Sequence, residues 1–155
     1  MLAAVEPSPS SVAALNWLRL DQYTARRESF RKSAERTLER FGEQMKTAPR
    51  SLPRMLVALD FALSRSRQIV IAGKPSSPDV EAMLGALHQR FIPVKAVLLV
   101  DHTGPLKSRL LPLLPFLQGV VPIKGKETAY VCEDFACKLP TTDLAEFELQ
   151  LKSAP

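Results

Sequence analysis

The sequence predicts an α/β fold, α+β by content, with helical hairpins over residues 1–66 and a small three-stranded parallel α/β unit over residues 67–155. Three observations predict it. Apolar residues recur at three- and four-residue spacing as far as Leu63, the period of a helix face. Beyond the polar Ser64-Arg65-Ser66-Arg67 they gather into short β-branched runs. The first two of those runs flank a capped, periodic segment, and strand, helix, strand in that order makes a parallel pair with a right-handed crossover.

Ser10 or Ser11 is the expected cap of a first helix starting near Val12, on which Val12, Leu15, Trp17, Leu18 and Leu20 form a broad apolar side. A long second helix is expected from about Arg26 to Lys46, since Phe30, Ala34, Leu38, Phe41 and Met45 recur at helical spacing with Thr37 in the same stripe. Pro49 ends it. Ser51 and Pro53 then open a third helix whose face is Leu52, Met55, Leu56, Leu59, Ala62 and Leu63. Short connections between three such helices read as hairpins packed side by side.

In the second half, Gln68-Ile69-Val70-Ile71-Ala72-Gly73 has the continuous apolar character of a buried strand. Ser77-Pro78-Asp79 supplies a cap, a first-turn proline and an acidic residue facing the helix dipole, ahead of Val80, Met83, Leu84, Leu87 and Phe91. Pro93 ends that helix, and Lys95-Ala96-Val97-Leu98-Leu99-Val100 gives a second strand. Leu106 to Leu117 is apolar and partly helical despite its prolines, Thr128 to Cys132 is a third strand, and Asp143 caps a short terminal helix with Glu146 three residues on.

Composition narrows the function classes. The most apolar stretch, Leu110 to Leu117, is short and broken by Pro112 and Pro115, whereas a membrane span needs ~18 or more apolar residues. The start, Met1-Leu2-Ala3-Ala4-Val5-Glu6, lacks the charged n-region and full apolar h-region of an export signal, so a cytoplasmic location is expected. Residues 1–66 carry 11 basic and 7 acidic side chains, and residues 67–155 carry 10 and 9. Glu28, Glu35, Glu39 and Glu43 interleave at helical spacing with the arginines of the second helix. That helix therefore reads as a solvated mixed-charge face and not as a nucleic-acid strip, the more so without an aromatic stacking platform.

In an open parallel sheet, loops at the carboxyl ends of the strands converge into the ligand crevice. A parallel third strand would bring together Lys74 after Gly73, Asp101 with His102, and Cys132 with Glu133. No Walker pattern or G-x-G-x-x-G accompanies them, and no hydrolytic triad, glycosidase-like carboxylate pair or HExxH is recognisable, so no catalytic residue is assigned and no cofactor is expected. Cys132 and Cys137 are the only cysteines. Their C-x4-C spacing is too wide for a thioredoxin-type site, and His88 and His102 do not complete a known zinc pattern. No metal site is assigned. Reduced thiols are the favoured reading, with a reversible local disulfide or a weak metal clasp as the alternatives.

Read together, Glu6-Pro7-Ser8, Ser11 to Leu20, Gln68 to Gly73, Thr128 to Glu133 with Cys137, and Pro140-Thr141-Thr142-Asp143 resemble the C-terminal end of the YyaL-like thioredoxin-domain-containing proteins, whose mammalian members are called spermatogenesis-associated. In that family a thioredoxin-like domain precedes a helical toroid similar to the six-hairpin glycosidases and sugar 2-epimerases. The resemblance implies that residues 1–66 are the end of the toroid and residues 67–155 a small appendage. The chain departs from the family's usual Glu-Pro-Ser-Gly-Asn-Ser in having Pro9 and Ser10, has Lys74 where an acid is common, and has His102 where glycine is.

What the resemblance implies for function is a non-catalytic module that closes the toroid and offers an interaction surface. The alternative is a part of a carbohydrate isomerase or hydrolase, or of a thioredoxin-linked oxidoreductase, active only with the missing domains. The expected partners are the rest of the toroid and the thioredoxin-like domain, or a second copy of the chain meeting it through helices 12–63. Trp17, Leu20, Phe30, Leu38, Phe41 and Met45 would otherwise lack apolar cover.

Overall fold

Proline and serine decide where the first helix begins. Pro9 has no amide hydrogen to leave unpaired and has its φ already fixed, so it serves as the first helical residue, and α1 runs Pro9–Tyr23. Its cap is Ser8, whose Oγ accepts from the Ser11 amide at 3.3 Å, and not Ser10 or Ser11 as the apolar pattern suggested. The computed structural model describes residues 7–24, 28–101, 104–133 and 136–152, and it divides into two units, Met1–Arg65 and Ser66–Pro155.

In the first unit α1 packs against α2 (Glu28–Arg40) and α4 (Pro53–Leu63). The long second helix expected from the stripe is two pieces, because the chain bends at Phe41 before α3 (Gly42–Thr47). Gly42 follows directly, and glycine is among the weakest helix formers. The stripe nonetheless buries Ala34, Leu38 and Met45 and half-buries Phe30, Thr37 and Phe41. On α4 the buried face is Met55, Ala58 and Phe61, while Leu63 at the end of the expected face is 79% exposed. Of the six apolar residues expected to lack cover, Leu20 alone is fully in the exposed class at 42%, with Leu38 and Met45 buried.

Charge also ties these helices. Arg31 lies 3.9 Å from the carboxylate of Asp21, a residue with no accessible surface on α1, and donates to Glu35 at 3.0 Å and to the Ala62 carbonyl of α4 at 3.5 Å. One guanidinium therefore joins three helices.

The second unit is built on a four-stranded mixed sheet in the order β2-β1-β3-β4, with β1 Arg67–Ala72, β2 Lys95–Val100, β3 Thr128–Glu133 and β4 Ala136–Cys137. β1 and β2 are parallel, with Ile69 opposite Val97 and Ile71 opposite Leu99. Between them runs α5 (Pro78–His88), capped by Ser77, whose Oγ accepts from the Val80 amide. Phe91, placed on that helix by its spacing, lies beyond it and is 93% exposed.

The parallel three-stranded unit is corrected at its third strand. β3 runs antiparallel to β1, pairing Arg67 with Glu133 and Ala72 with Thr128, and β4 adds a further edge. The connection explains the reversal. β1 has six residues, a strand of roughly 20 Å, whereas α6 (Pro105–Leu110) also has six and is only about 9 Å long. Pro112, Pro115 and Pro122 keep the rest from extending it. Among the described residues neither α6 nor the short 3-10 helix at Pro115–Gly119 is long enough to carry the chain back along the sheet, so β3 starts at the end where β2 stopped. A tight turn at Ile123–Lys126, with Lys124 and Gly125 both at positive φ, feeds it in.

One face of the sheet presents Ile69, Ile71, Ala129 and Val131 to Val80, Met83 and Leu87 of α5 and to Phe147 and Leu151 of α7 (Leu144–Lys152). Asp143 caps α7 as expected, accepting from the Glu146 amide at 2.8 Å. On the other face Tyr130 donates to the Val121 carbonyl at 2.6 Å, and Thr128 accepts from the Ile123 amide at 2.8 Å. No helix among the described residues is long and apolar enough to cross a membrane.

Replacing Arg31 by Ala removes a countercharge from the inaccessible Asp21 and the link to Ala62. Because the guanidinium is 41% exposed and water can partly replace it, the expected loss is about 1–2 kcal/mol, measured as a fall in urea midpoint with the slope unchanged.

Candidate functional site

The direction of β3 divides the expected crevice. Gly73 follows β1 and donates its amide to the Val100 carbonyl at 3.0 Å, so Lys74 and Asp101 lie at the same end of the sheet. Cys132 and Glu133 lie at the opposite end, beside Gln68 and Arg67. The five residues Lys74, Asp101, His102, Cys132 and Glu133 are therefore not one site, and His102 lies outside the described residues.

Glu127, immediately before β3, stands where the thiol was expected. Its Oε1 accepts from the Lys74 amide at 3.3 Å. A Cβ on Gly73 would strike the same carboxylate and would come within 2.7 Å of the Val80 methyl, so glycine is needed for helix α5 and residue 127 to close on the end of β1. A Cβ on Gly104, at the start of α6, would meet the Asp101 carboxylate at 3.2 Å. Glu127 could have been found in the sequence only by recognising Lys124-Gly125 as the turn that starts an antiparallel strand.

At the opposite end, Glu133 lies 3.9 Å from Arg67, whose Nη1 donates to the Leu151 carbonyl at 2.8 Å. Cys132 and Cys137 are directly opposed in the β3–β4 register and joined by a disulfide, with Cα atoms 3.9 Å apart. The expectation of reduced thiols is corrected here. Residue spacing does not disclose that β4 turns back onto β3, which sets the second sulfur against the first. Cys132 is buried at 3% exposure, whereas Cys137, on the edge strand, is an exposed residue. The segment after β4 is held in turn, with Lys138 donating through its amide to Val131 at 2.9 Å and through Nζ to Gln150 at 3.0 Å. His88 is exposed on α5, and no group of three or more potential metal ligands comes together among the described residues.

These two ends have different chemical capacities. Among the described residues the Lys74 end offers an ammonium and carboxylates, and the β3–β4 hairpin offers a disulfide. An arrangement of this kind defines a small mixed α/β domain whose edge hairpin carries a disulfide.

Comparison with known proteins places the chain among larger ones. It is 38% identical over 141 residues to spermatogenesis-associated protein 20 of Homo sapiens and 36% identical to the protein of that name from Mus musculus. It is also 27% identical over 143 residues to an uncharacterised protein of Caenorhabditis elegans. The mammalian matches take in 91% of this chain but 18% of each relative, so the chain spans under a fifth of the length of the proteins it resembles. No protein-family profile matches it, and no solved structure is significantly similar.

Three outcomes follow from the site. Gly73→Ala should destabilise the second unit by about 1–3 kcal/mol, since the Val80 methyl is packed and cannot withdraw as the Glu127 side chain can; a thermal melt of variant and parent decides it. Thiol titration of the unreduced, denatured chain should find no free thiol and, after reduction, both. Replacing both cysteines by serine should cost about 2 kcal/mol, the entropy of so short a closed loop, read from the shift in denaturant midpoint.

Proposed function

We propose that the chain is the C-terminal segment of a larger protein of the spermatogenesis-associated protein 20 kind, acting as a non-catalytic module that closes a toroid of helical hairpins and offers an interaction surface. The observation that carries this reading is coverage: nearly all of the chain aligns, yet it accounts for 18% of the relatives. The packing of α1 against α2 and α4 suits the end of a helical array, and Leu20, Val57 and Leu63, at 42%, 48% and 79% exposure, are apolar side chains available to a neighbour. Its partners on this reading are the remaining hairpins and a thioredoxin-like domain, or a second copy of the chain.

The Cys132–Cys137 disulfide favours a second reading, in which the segment belongs to a thioredoxin-linked oxidoreductase active only with those other domains. A carbohydrate isomerase or hydrolase built from the complete toroid is the corresponding enzyme reading for the helical unit.

The purified chain should give no turnover with a disulfide substrate plus reductant, or with epimerisable disaccharides, and its light-scattering mass should rise with concentration or on adding the missing hairpins. A rate that depends on Cys132 would overturn the non-catalytic reading. A concentration-independent monomer that ignores those hairpins would overturn the interaction surface.

A further inference from the structure

Along one side of the first unit, α1 and α2 leave an open cleft of about 450 Å³. α1 contributes Ser10 and Trp17 to it, α2 contributes Ser33, Arg36, Thr37 and Arg40, and Phe41 follows α2 into the wall. Among the described residues no acidic side chain lines it. We propose that this cleft binds a small phosphomonoester with a hydroxyl-bearing body, such as a sugar phosphate. This inference is independent of the proposed module function.

The electrostatics supply the anion. Arg36 and Arg40 are one helical turn apart, a like-charge spacing that destabilises a bare helix slightly, and neither makes a hydrogen bond or ion pair within the described residues. The carboxylates that could have answered them are engaged elsewhere: Glu35 accepts from Arg31 at 3.0 Å, and Glu43 from Lys46 at 2.8 Å. Glu39 sits between the two arginines in sequence but does not line the cleft. Two exposed guanidiniums with a full set of forked donors match the oxygens of a phosphate, which each can engage through paired hydrogen bonds.

The rest of the lining supplies the body. The Ser33 hydroxyl donates to the Ser29 carbonyl at 2.8 Å, and the Thr37 hydroxyl donates to the Ser33 carbonyl at 2.9 Å. Their protons are committed, which leaves both oxygens as acceptors for donors on a ligand. Half-buried Trp17 offers an apolar ring against which the carbon face of a sugar can rest. Inorganic phosphate would use the arginines and leave these groups idle, and an uncharged sugar would do the reverse.

Trp17 is the only tryptophan in the chain, so its fluorescence reports on the cleft directly. In the full 155-residue chain, glucose 6-phosphate should change the emission saturably, with a midpoint at least tenfold below those of inorganic phosphate and of glucose. Arg36→Gln with Arg40→Gln should raise that midpoint at least tenfold. Arg36→Lys with Arg40→Lys, which keeps the charge and removes the paired geometry, should raise it severalfold. Arg50→Gln with Arg54→Gln, removing exposed cations outside the lining, should leave it within twofold. The proposal fails if no saturable change occurs below about 10 mM, weaker than the usual range of specific sites. It fails equally if glucose 6-phosphate and phosphate act alike, or if the Arg50/Arg54 variant loses as much as the Arg36/Arg40 variant.

Discussion

The second unit depends on β1 being hydrogen-bonded along both edges, to β2 on one side and β3 on the other. A strand so placed has no edge to present to water, so its backbone groups are satisfied by its neighbours, and here its side chains are covered on both faces as well. Residues 69 to 72 accordingly have 2% exposure or less. Everything else in the unit follows from which way those neighbours run.

A parallel neighbour brings its carboxyl end to the carboxyl end of β1, and an antiparallel one brings its start. The first rule joins Lys74 and Asp101 at one end; the second brings Glu127 there and sends Cys132 and Glu133 to the other. The same residues, with β3 reversed, would have converged as a lysine, an acid and a thiol. Gly73 is fixed by the same arrangement, since residue 127 and α5 close on the one position at the end of β1 where a side chain has no room.

The antiparallel strand also makes the hairpin. With β4 turned back on β3, Cys132 faces Cys137 and a covalent bond holds the short edge strand that hydrogen bonds alone would support over only two residues. In the helical unit a comparable part falls to Arg31, whose guanidinium spans three helices from a position that reads in the sequence as one more charge on a solvated face. Arg36 and Arg40, on the same helix, escape such pairing and remain turned to the cleft beside Trp17.

By itself the sequence determined the elements whose cause is local. Ser77-Pro78-Asp79 specifies the start of α5, Asp143 with Glu146 that of α7, and the apolar runs at 68–73 and 95–100 specify two buried strands, since caps, proline and β-branched runs act within a few residues. The parallel pairing of those strands was legible too, because a helix of adequate length lies between them. Only the tertiary structure decided the direction of β3, the opposition of the cysteines, the place of Glu127 and the exposed position of Phe91. Each depends on how far a connection can carry the chain and on what it meets when it arrives, and these are distances between residues far apart in sequence that no local pattern encodes.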